Sequence, residues 1–126
     1  MTLQRIGFFS DLPHGLANEP RLQDSTDILE PQLARQLARY LRSGSILSQT
    51  LGTHTFDILE SEEEIDLGVL SLKTDGQYVW PSDLAYYVEK YRVDVPEGVV
   101  RSARQVHWRP PDLSDEQLRH IAAQVF

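Results

Sequence analysis

Apolar residues recur at spacings of three and four in several parts of the chain, a pattern typical of helices with one buried face. The first such helix is predicted to begin at Pro31, whose ring suits the first helical turn, and to end at Gly44. Its buried stripe would consist of Leu33, Leu37, Tyr40 and Leu41. Arg35, Arg39 and Arg42 lie off this stripe, and we interpret them as a solvated face, with an anion site as the alternative.

A second helix is predicted after Pro81, in the segment PSDLAYYVEKYR. The residues of its apolar stripe are Leu84, Tyr87, Val88 and Tyr91. Tyr86 and Lys90 lie four residues apart on a neighbouring face, so we expect Tyr86 to be exposed. Ser82 or Asp83 would cap the start of this helix.

Two further helices are predicted towards the end of the chain. One covers about residues 97–107, after the break at Pro96. The last one opens with a capping box, in which Ser114 is followed three residues later by Gln117. Its apolar stripe consists of Leu118, Ile121, Ala122 and Val125.

Residues 67–80, LGVLSLKTDGQYVW, predict a hairpin. An Asp-Gly pair between two strand-like segments favours a two-residue turn with positive φ at both positions. This turn places Lys73 opposite Tyr78 and Ser71 opposite Trp80. Side chains alternate along a strand, so Tyr78 and Trp80 share one face of the sheet. We expect that face to be open, which makes both residues candidates for contact with a partner.

Strands are also predicted over residues 3–9 and 45–59, and Gly52 marks a bend in the second segment. Residues 10–28 are predicted to form a long loop, which we interpret as mobile. The order of a strand, a helix, several strands and then helices predicts an α+β fold. We expect a small antiparallel sheet that contains the 67–80 hairpin, with three to four helices packed mainly on one face. The length of 126 residues suits a single domain, residues 1–126.

The balance of charge and the absence of cysteine narrow the function classes. The chain has 12 Lys and Arg against 19 Asp and Glu, a formal net charge of −7. Such a surface repels phosphate backbones and anionic lipids, so we expect no nucleic acid and no membrane as a partner. The lack of cysteine excludes disulfides, thiolate metal sites and thiol nucleophiles. No signal-peptide pattern is present, and a cytoplasmic location is expected.

The segment ESEEEID, from Glu60 to Asp66, is an acidic turn. Runs of like charge usually lie in water, where they attract oppositely charged partners. The segment lacks the alternating oxygen ligands and the glycine of a calcium loop. It therefore predicts electrostatic steering rather than a metal site.

Candidate catalytic chemistry is sparse. The histidines, at positions 14, 54, 107 and 120, are not spaced as metal ligands, and no nucleophile elbow, phosphate loop or dinucleotide fingerprint occurs. Asp75 and Asp83 have local roles in the turn and at the helix start. We assign no catalytic residue, metal or cofactor. The alternative is a small hydrolase or lyase that uses His14 or His54 with a carboxylate.

The segments IGFFSDLPHG and LKTDGQYVWPSDLAYYVEKYRVDVPEGVV resemble a group of small bacterial proteins without established function. The shared pattern is T-D-G, then W-P, then D-L-A-Y-Y-V, and it covers about a third of the chain. Some similar proteins resemble the small acidic immunity proteins of bacterial toxin systems. The resemblance implies no catalytic residue.

These observations favour a non-catalytic protein-binding domain, an immunity-like or regulatory protein that masks a basic partner. Glu62, Glu63 and Glu64 would steer the partner, and the contact area would come from Tyr78, Trp80 and Tyr86. A second alternative is a homo-oligomeric subunit, a homodimer that buries the sheet face of Tyr78 and Trp80.

Overall fold

The computed structural model describes residues 3–125 and has the helices and strands of an α+β fold. The strands are β1 (Gln4–Arg5), β2 (Ser45–Phe56), β3 (Asp66–Thr74) and β4 (Tyr78–Pro81). The helices are α1 (Pro31–Arg42), α2 (Leu84–Tyr91), α3 (Glu97–Gln105) and α4 (Asp115–Val125). The predicted fold class, a small sheet with several helices, is confirmed. None of the helices in this range is long and apolar enough to cross a membrane.

The strands form one sheet in the order β1-β4-β3-β2. β2 and β4 both run antiparallel to β3, and the predicted hairpin is the β3–β4 pair. β1 adds a parallel pair beside β4, so the sheet is mixed. The strand predicted over residues 3–9 shortens to Gln4–Arg5, although the Ile6 N–H still donates to the Val79 carbonyl at 2.9 Å.

The register of the hairpin differs from the predicted one by two residues. Lys73 lies opposite Trp80, where the two-residue turn would place Tyr78. Of the Asp-Gly pair, only Gly76 has a positive φ, 98°. The shift leaves every side chain on its predicted face, because faces alternate with a period of two.

The side chains of the turn explain why it is longer than the predicted two residues. Oδ1 of the buried Asp75 accepts the backbone N–H groups of Gln77 and Tyr78, both at 2.9 Å. Its Oδ2 accepts the Tyr40 hydroxyl at 2.6 Å, and the Thr74 hydroxyl donates to the Tyr78 carbonyl at 2.7 Å. Burial, together with this Asp75 contact, raises the pKa of Tyr40. The T-D-G motif therefore satisfies buried polar groups of the turn and has a structural role.

Trp80 is a core residue, with 1% of its surface exposed. Its ring centroid lies 6.4 Å from that of Tyr40, and its indole N–H donates to the Leu41 carbonyl at 3.2 Å. A Cβ at Gly44 would lie 2.6 Å from Cζ2 of Trp80. Because φ of Gly44 is not positive and Ser43 caps α1, this glycine is required by the indole and not by the helix end.

The remaining predicted elements are present with small differences at their ends. The capping box of α4 forms, since the Gln117 N–H donates to Oγ of Ser114 at 3.1 Å and Oε1 of Gln117 accepts the Ser114 N–H at 2.8 Å. The long segment 10–28 is anchored rather than loose. Leu12 and Leu22 are buried, and the Asp11 carboxylate accepts the Leu22 N–H at 2.7 Å.

Candidate functional site

The connection between β2 and β3, residues 57–65, is called the acidic loop below. Its first residue, Asp57, shapes the backbone that follows. Oδ1 of Asp57 accepts the N–H groups of Leu59 at 2.9 Å and of Glu60 at 3.2 Å. The Asp57 N–H donates to the Ile65 carbonyl at 3.0 Å and closes the loop. The base of the acidic loop is thus fixed by one aspartate, as in an Asx turn.

The other oxygen of Asp57 binds the loop to α2. Oδ2 accepts the hydroxyls of Tyr91 at 2.7 Å and Tyr86 at 2.8 Å, and Nζ of Lys90 lies at 3.4 Å. These four residues are called the Asp57 cluster. Burial alone would raise the pKa of Asp57, but hydrogen bonds from Tyr91 and Tyr86 and the nearby Lys90 charge outweigh it and lower that pKa. The carboxylate is therefore held ionised, with its side chain fully enclosed.

Tyr86 is half-buried within this cluster, and the expectation that it stands exposed is wrong. Its hydroxyl also accepts a hydrogen bond from Nζ of Lys90 at 2.9 Å. The Lys90 ammonium lies 5.4 Å from the Tyr86 ring centroid and 5.2 Å from that of Tyr91, within cation–π range. Burial and the Asp57 hydrogen bond raise the pKa of Tyr91 to about 12. Tyr86 joins the loop to the helix and does not stand as an independent contact residue.

The outer part of the acidic loop has a different character. Glu62, Glu63 and Glu64 are exposed, and none of them is ion-paired with a lysine, arginine or histidine of residues 3–125. Phe56 and Ile58, at the base of the loop, are 37% and 39% exposed. These five residues are called the acidic–apolar surface. It combines uncompensated negative charge with accessible apolar area, both supported by a fixed base.

Strand β2 forms the outer edge of the sheet next to this surface. It is 12 residues long, and its apolar side chains include Leu51, which is 100% exposed, and Ile46, which is 51% exposed. The predicted bend occurs at Gly52, whose φ is 74°. An edge strand presents backbone groups that can pair with another chain.

Tyr78 and Trp80, the other predicted contact residues, do not belong to any exposed surface. Tyr78 is 9% exposed and Trp80 is 1% exposed. On the opposite face of the same strand, Val79 is completely buried. The prediction of an open face is wrong, because the residues on both faces of β4 are buried. Its two edges are also paired, with β1 and with β3. The homodimer face predicted at these two residues is therefore not available at the surface.

A second polar cluster lies at the start of α2. Asp83, whose side chain is fully enclosed, accepts the Thr55 hydroxyl at 2.6 Å, and Nε2 of His14 lies 3.1 Å from the same oxygen. The imidazole and the carboxylate are near enough for an ion pair but are not aligned for a hydrogen bond, and Oδ1 of Asp83 has no hydrogen-bond partner among residues 3–125. Asp83 makes no capping bond to α2, contrary to prediction. Ser82 does not cap the helix either, since its hydroxyl accepts the Ser71 N–H at 3.0 Å.

The other predicted histidine, His54, lies in a more exposed pair. Nδ1 of His54 is 2.9 Å from both oxygens of Asp66, and both side chains are about half exposed. The His54 contact lowers the pKa of Asp66. Residues 3–125 contain no group of three or more potential metal ligands.

Comparisons of the chain with protein-family models, with curated proteins and with solved structures find no match. The resemblance to small bacterial proteins therefore stays a prediction. Function has to be inferred from the geometry and charge of the surface.

Asp57 is the residue that sequence reasoning missed. His54, three positions before it, binds a different partner, Asp66. A signal was present in α2, where Tyr86 and Lys90 share a face four residues apart. Two polar groups on one half-buried face require a polar partner, and only the tertiary structure identifies it as Asp57.

Proposed function

We propose that this protein is a non-catalytic protein-binding domain that binds a basic partner through the acidic–apolar surface. The observation that carries the proposal is the combination of three exposed glutamates, without an ion-pair partner in residues 3–125, with Ile58 on the same fixed-base loop and Phe56 at the end of β2. The predicted contact role of Tyr78 and Trp80 is replaced by Phe56 and Ile58.

The two halves of the surface would have different tasks. Clustered carboxylates accelerate the approach of a basic partner, and this steering weakens as salt screens it over about 10 Å. Apolar side chains at the centre of an interface supply most of the affinity once water is excluded. The Asp57 cluster keeps the loop in one arrangement, so binding would cost less conformational entropy than for a loose segment.

An immunity-like or regulatory role, in which the domain masks a basic protein, is the biological form of this proposal. It is supported by the formal net charge of −7 and by the resemblance of the T-D-G and D-L-A-Y-Y-V segments to small bacterial proteins. A reducing, cytoplasmic location belongs to the same proposal, because the chain uses no cysteine.

Affinity capture with matched variants tests the proposal. The loop variant Glu62→Gln/Glu63→Gln/Glu64→Gln and the control variant Asp94→Asn/Asp112→Asn/Glu116→Gln each lose three negative charges. We expect the wild type and the control to retain the same partner and the loop variant to lose it. Association of the purified pair should slow by about tenfold for the loop variant, in a salt-dependent manner.

Equal retention of the partner by both triple variants would reject the acidic loop as the binding site. A further variant, Ile58→Ser, separates steering from contact. Ile58→Ser should increase the dissociation rate and leave the salt dependence unchanged, because it removes apolar area and no charge.

The β2 edge supports a homo-oligomeric subunit as a second candidate function. Leu51 and Ile46 are exposed on β2, whose outer edge has no neighbouring strand in residues 3–125, and two copies of the chain could pair along this edge to extend one sheet. Light scattering at increasing protein concentration tests this candidate. A mass that stays at one chain over the whole range would dismiss it, whereas dimers that are lost in Leu51→Lys would support it.

A further inference from the structure

A polar cleft lies on a different part of the molecule, between the C-terminal half of α1 and the segment that follows α3. Its volume is about 550 Å³, within the usual range for small-molecule sites. Arg39 and Ser43 line it from α1, and His107, Trp108 and Arg109 line it from the other side. The cleft therefore brings together arginines that lie seventy positions apart in the sequence.

The backbone of the second wall has an uncommon conformation. His107 and Trp108 have φ values of 55° and 61°, and two consecutive left-handed residues other than glycine are strained. The Trp108 N–H donates to the Ala103 carbonyl at 2.8 Å, and its ring meets Tyr40 edge-on at 6.5 Å. Packing of Trp108 against the core thus holds the strained segment in the conformation that places Arg109 in the cleft.

The charges of this cleft are not neutralised within the protein. Neither Arg39 nor Arg109 forms an ion pair in residues 3–125, whereas Arg42, Arg92 and Arg101 all do. The indole N–H of Trp108 donates to no protein group of residues 3–125, unlike that of Trp80, which donates to the Leu41 carbonyl. Asp112 also lines the cleft, so its lining contains two arginines and one aspartate. The result is a local excess of positive charge and of unused donors on a protein with a net charge of −7.

We propose that this cleft binds an oxyanion, namely the phosphate group of a small molecule. Guanidinium groups approaching from two separate segments suit a tetrahedral anion with several acceptor oxygens, and charge-assisted hydrogen bonds of this kind are the strong ones. The indole N–H adds a neutral donor. This site is independent of the acidic–apolar surface and takes a ligand of opposite charge.

Proton–nitrogen NMR with inorganic phosphate as the probe tests the site. Sodium phosphate is titrated against sodium chloride at constant ionic strength, and the two indole N–H signals are followed. We expect the Trp108 signal to move and saturate with a dissociation constant of about 1 mM, as for a few charged hydrogen bonds. The Trp80 signal should stay in place, because its N–H is bonded to Leu41 inside the core.

Single variants locate the site. Arg39→Gln and Arg109→Gln should each weaken phosphate binding by about tenfold, the loss of one charged hydrogen bond. Arg119→Gln, an exposed change on α4, should leave it unaffected. Movement of the Trp108 signal without saturation, equal weakening by Arg119→Gln, or saturation by acetate but not by phosphate would overturn the assignment.

Discussion

At the scale of single residues, buried carboxylates hold distant segments of the chain together. Asp57 accepts two backbone N–H groups and two tyrosine hydroxyls, and Asp75 accepts two N–H groups and one tyrosine hydroxyl. A buried charge is tolerated only where such donors replace water. Asp83, by contrast, keeps one oxygen without a partner. Removing any of these carboxylates affects several elements at once, because the donors belong to different parts of the fold.

The Asp57 cluster predicts a pH dependence of stability. The folded pKa of Asp57 lies below its ordinary value of 3.8, so the unfolded chain binds the proton more readily. The cluster therefore stabilises the fold fully above that ordinary value, and its contribution is lost as the pH falls through the folded pKa. In Asp57→Asn the free energy of unfolding should be lower by about 1–3 kcal/mol at neutral pH.

Chemical denaturation between about pH 2 and pH 7 measures this effect. The difference between the wild type and Asp57→Asn should shrink as the pH falls. Glu63→Gln, in the exposed part of the same loop, serves as the control and should change stability by less than about 0.5 kcal/mol at neutral pH. A difference that is constant over the whole pH range would show that the charge of Asp57 has no part in the stabilisation.

The contact between Gly44 and Trp80 gives a second prediction at this scale. Gly44→Ala should destabilise the fold by about 1–3 kcal/mol, because the new methyl group overlaps the indole. Trp80→Phe removes the overlapping ring atoms, so the added cost of Gly44→Ala in that background should be smaller. A thermal-denaturation double-mutant cycle measures the coupling. Additive effects would mean that helix termination, and not the indole, requires this glycine.

At the scale of elements, local signals of the sequence located α1, α2, α3 and α4, whereas the contacts at their ends depend on distant residues. The spacing of Leu84, Tyr87 and Val88 predicts α2, and all three are buried. The start of α2 is not set by the predicted cap. The Asp83 side chain contacts Thr55 and His14 instead, and it makes no capping bond to the helix N–H groups. A capping pattern in the sequence identifies a residue able to cap, but a buried hydroxyl competes for the same carboxylate.

The Thr55–Asp83 hydrogen bond gives the prediction at this scale. Thr55→Val preserves the shape of the side chain but removes the one aligned donor that residues 3–125 offer to the enclosed Asp83 carboxylate, so it should lower the free energy of unfolding by about 1–3 kcal/mol. Thr53→Val, an exposed position on the same strand, is the matched control. Equal effects of the two changes in urea denaturation would indicate that strand preference for valine, and not the buried hydrogen bond, governs the result.

At the scale of the whole molecule, charge is distributed unevenly. The exposed glutamates of the acidic loop lie on the β2–β3 connection, and the unpaired arginines lie between α1 and the segment after α3. A protein with one uncompensated cluster of each sign can bind two ligands of opposite charge without competition for a common surface. Within residues 3–125, neither the three glutamates nor Arg39 and Arg109 form a salt bridge that stabilises the fold.

The acidic cluster gives a prediction at this largest scale. Salt should stabilise the wild type, because it screens repulsion among carboxylates over about 10 Å. The increase in the free energy of unfolding between low and physiological salt should be smaller in Glu62→Gln/Glu63→Gln/Glu64→Gln than in Asp94→Asn/Asp112→Asn/Glu116→Gln. Both variants carry the same net charge, so denaturation curves that respond equally to salt would attribute the effect to total charge and not to clustering.

The sequence by itself determined the elements whose signals are local: the helical stripes, the capping box at Ser114, the presence of a hairpin at 67–80 and the exposure of Glu62, Glu63 and Glu64. Only the tertiary structure decided the register of that hairpin, the burial of Tyr78 and Trp80, and the meeting of Asp57 with Tyr86 and Tyr91. Periodicity and turn chemistry act within a few residues, whereas burial of a strand face or a carboxylate depends on which distant segments cover it. For Asp57 and Tyr91 those segments are 34 positions apart in the chain.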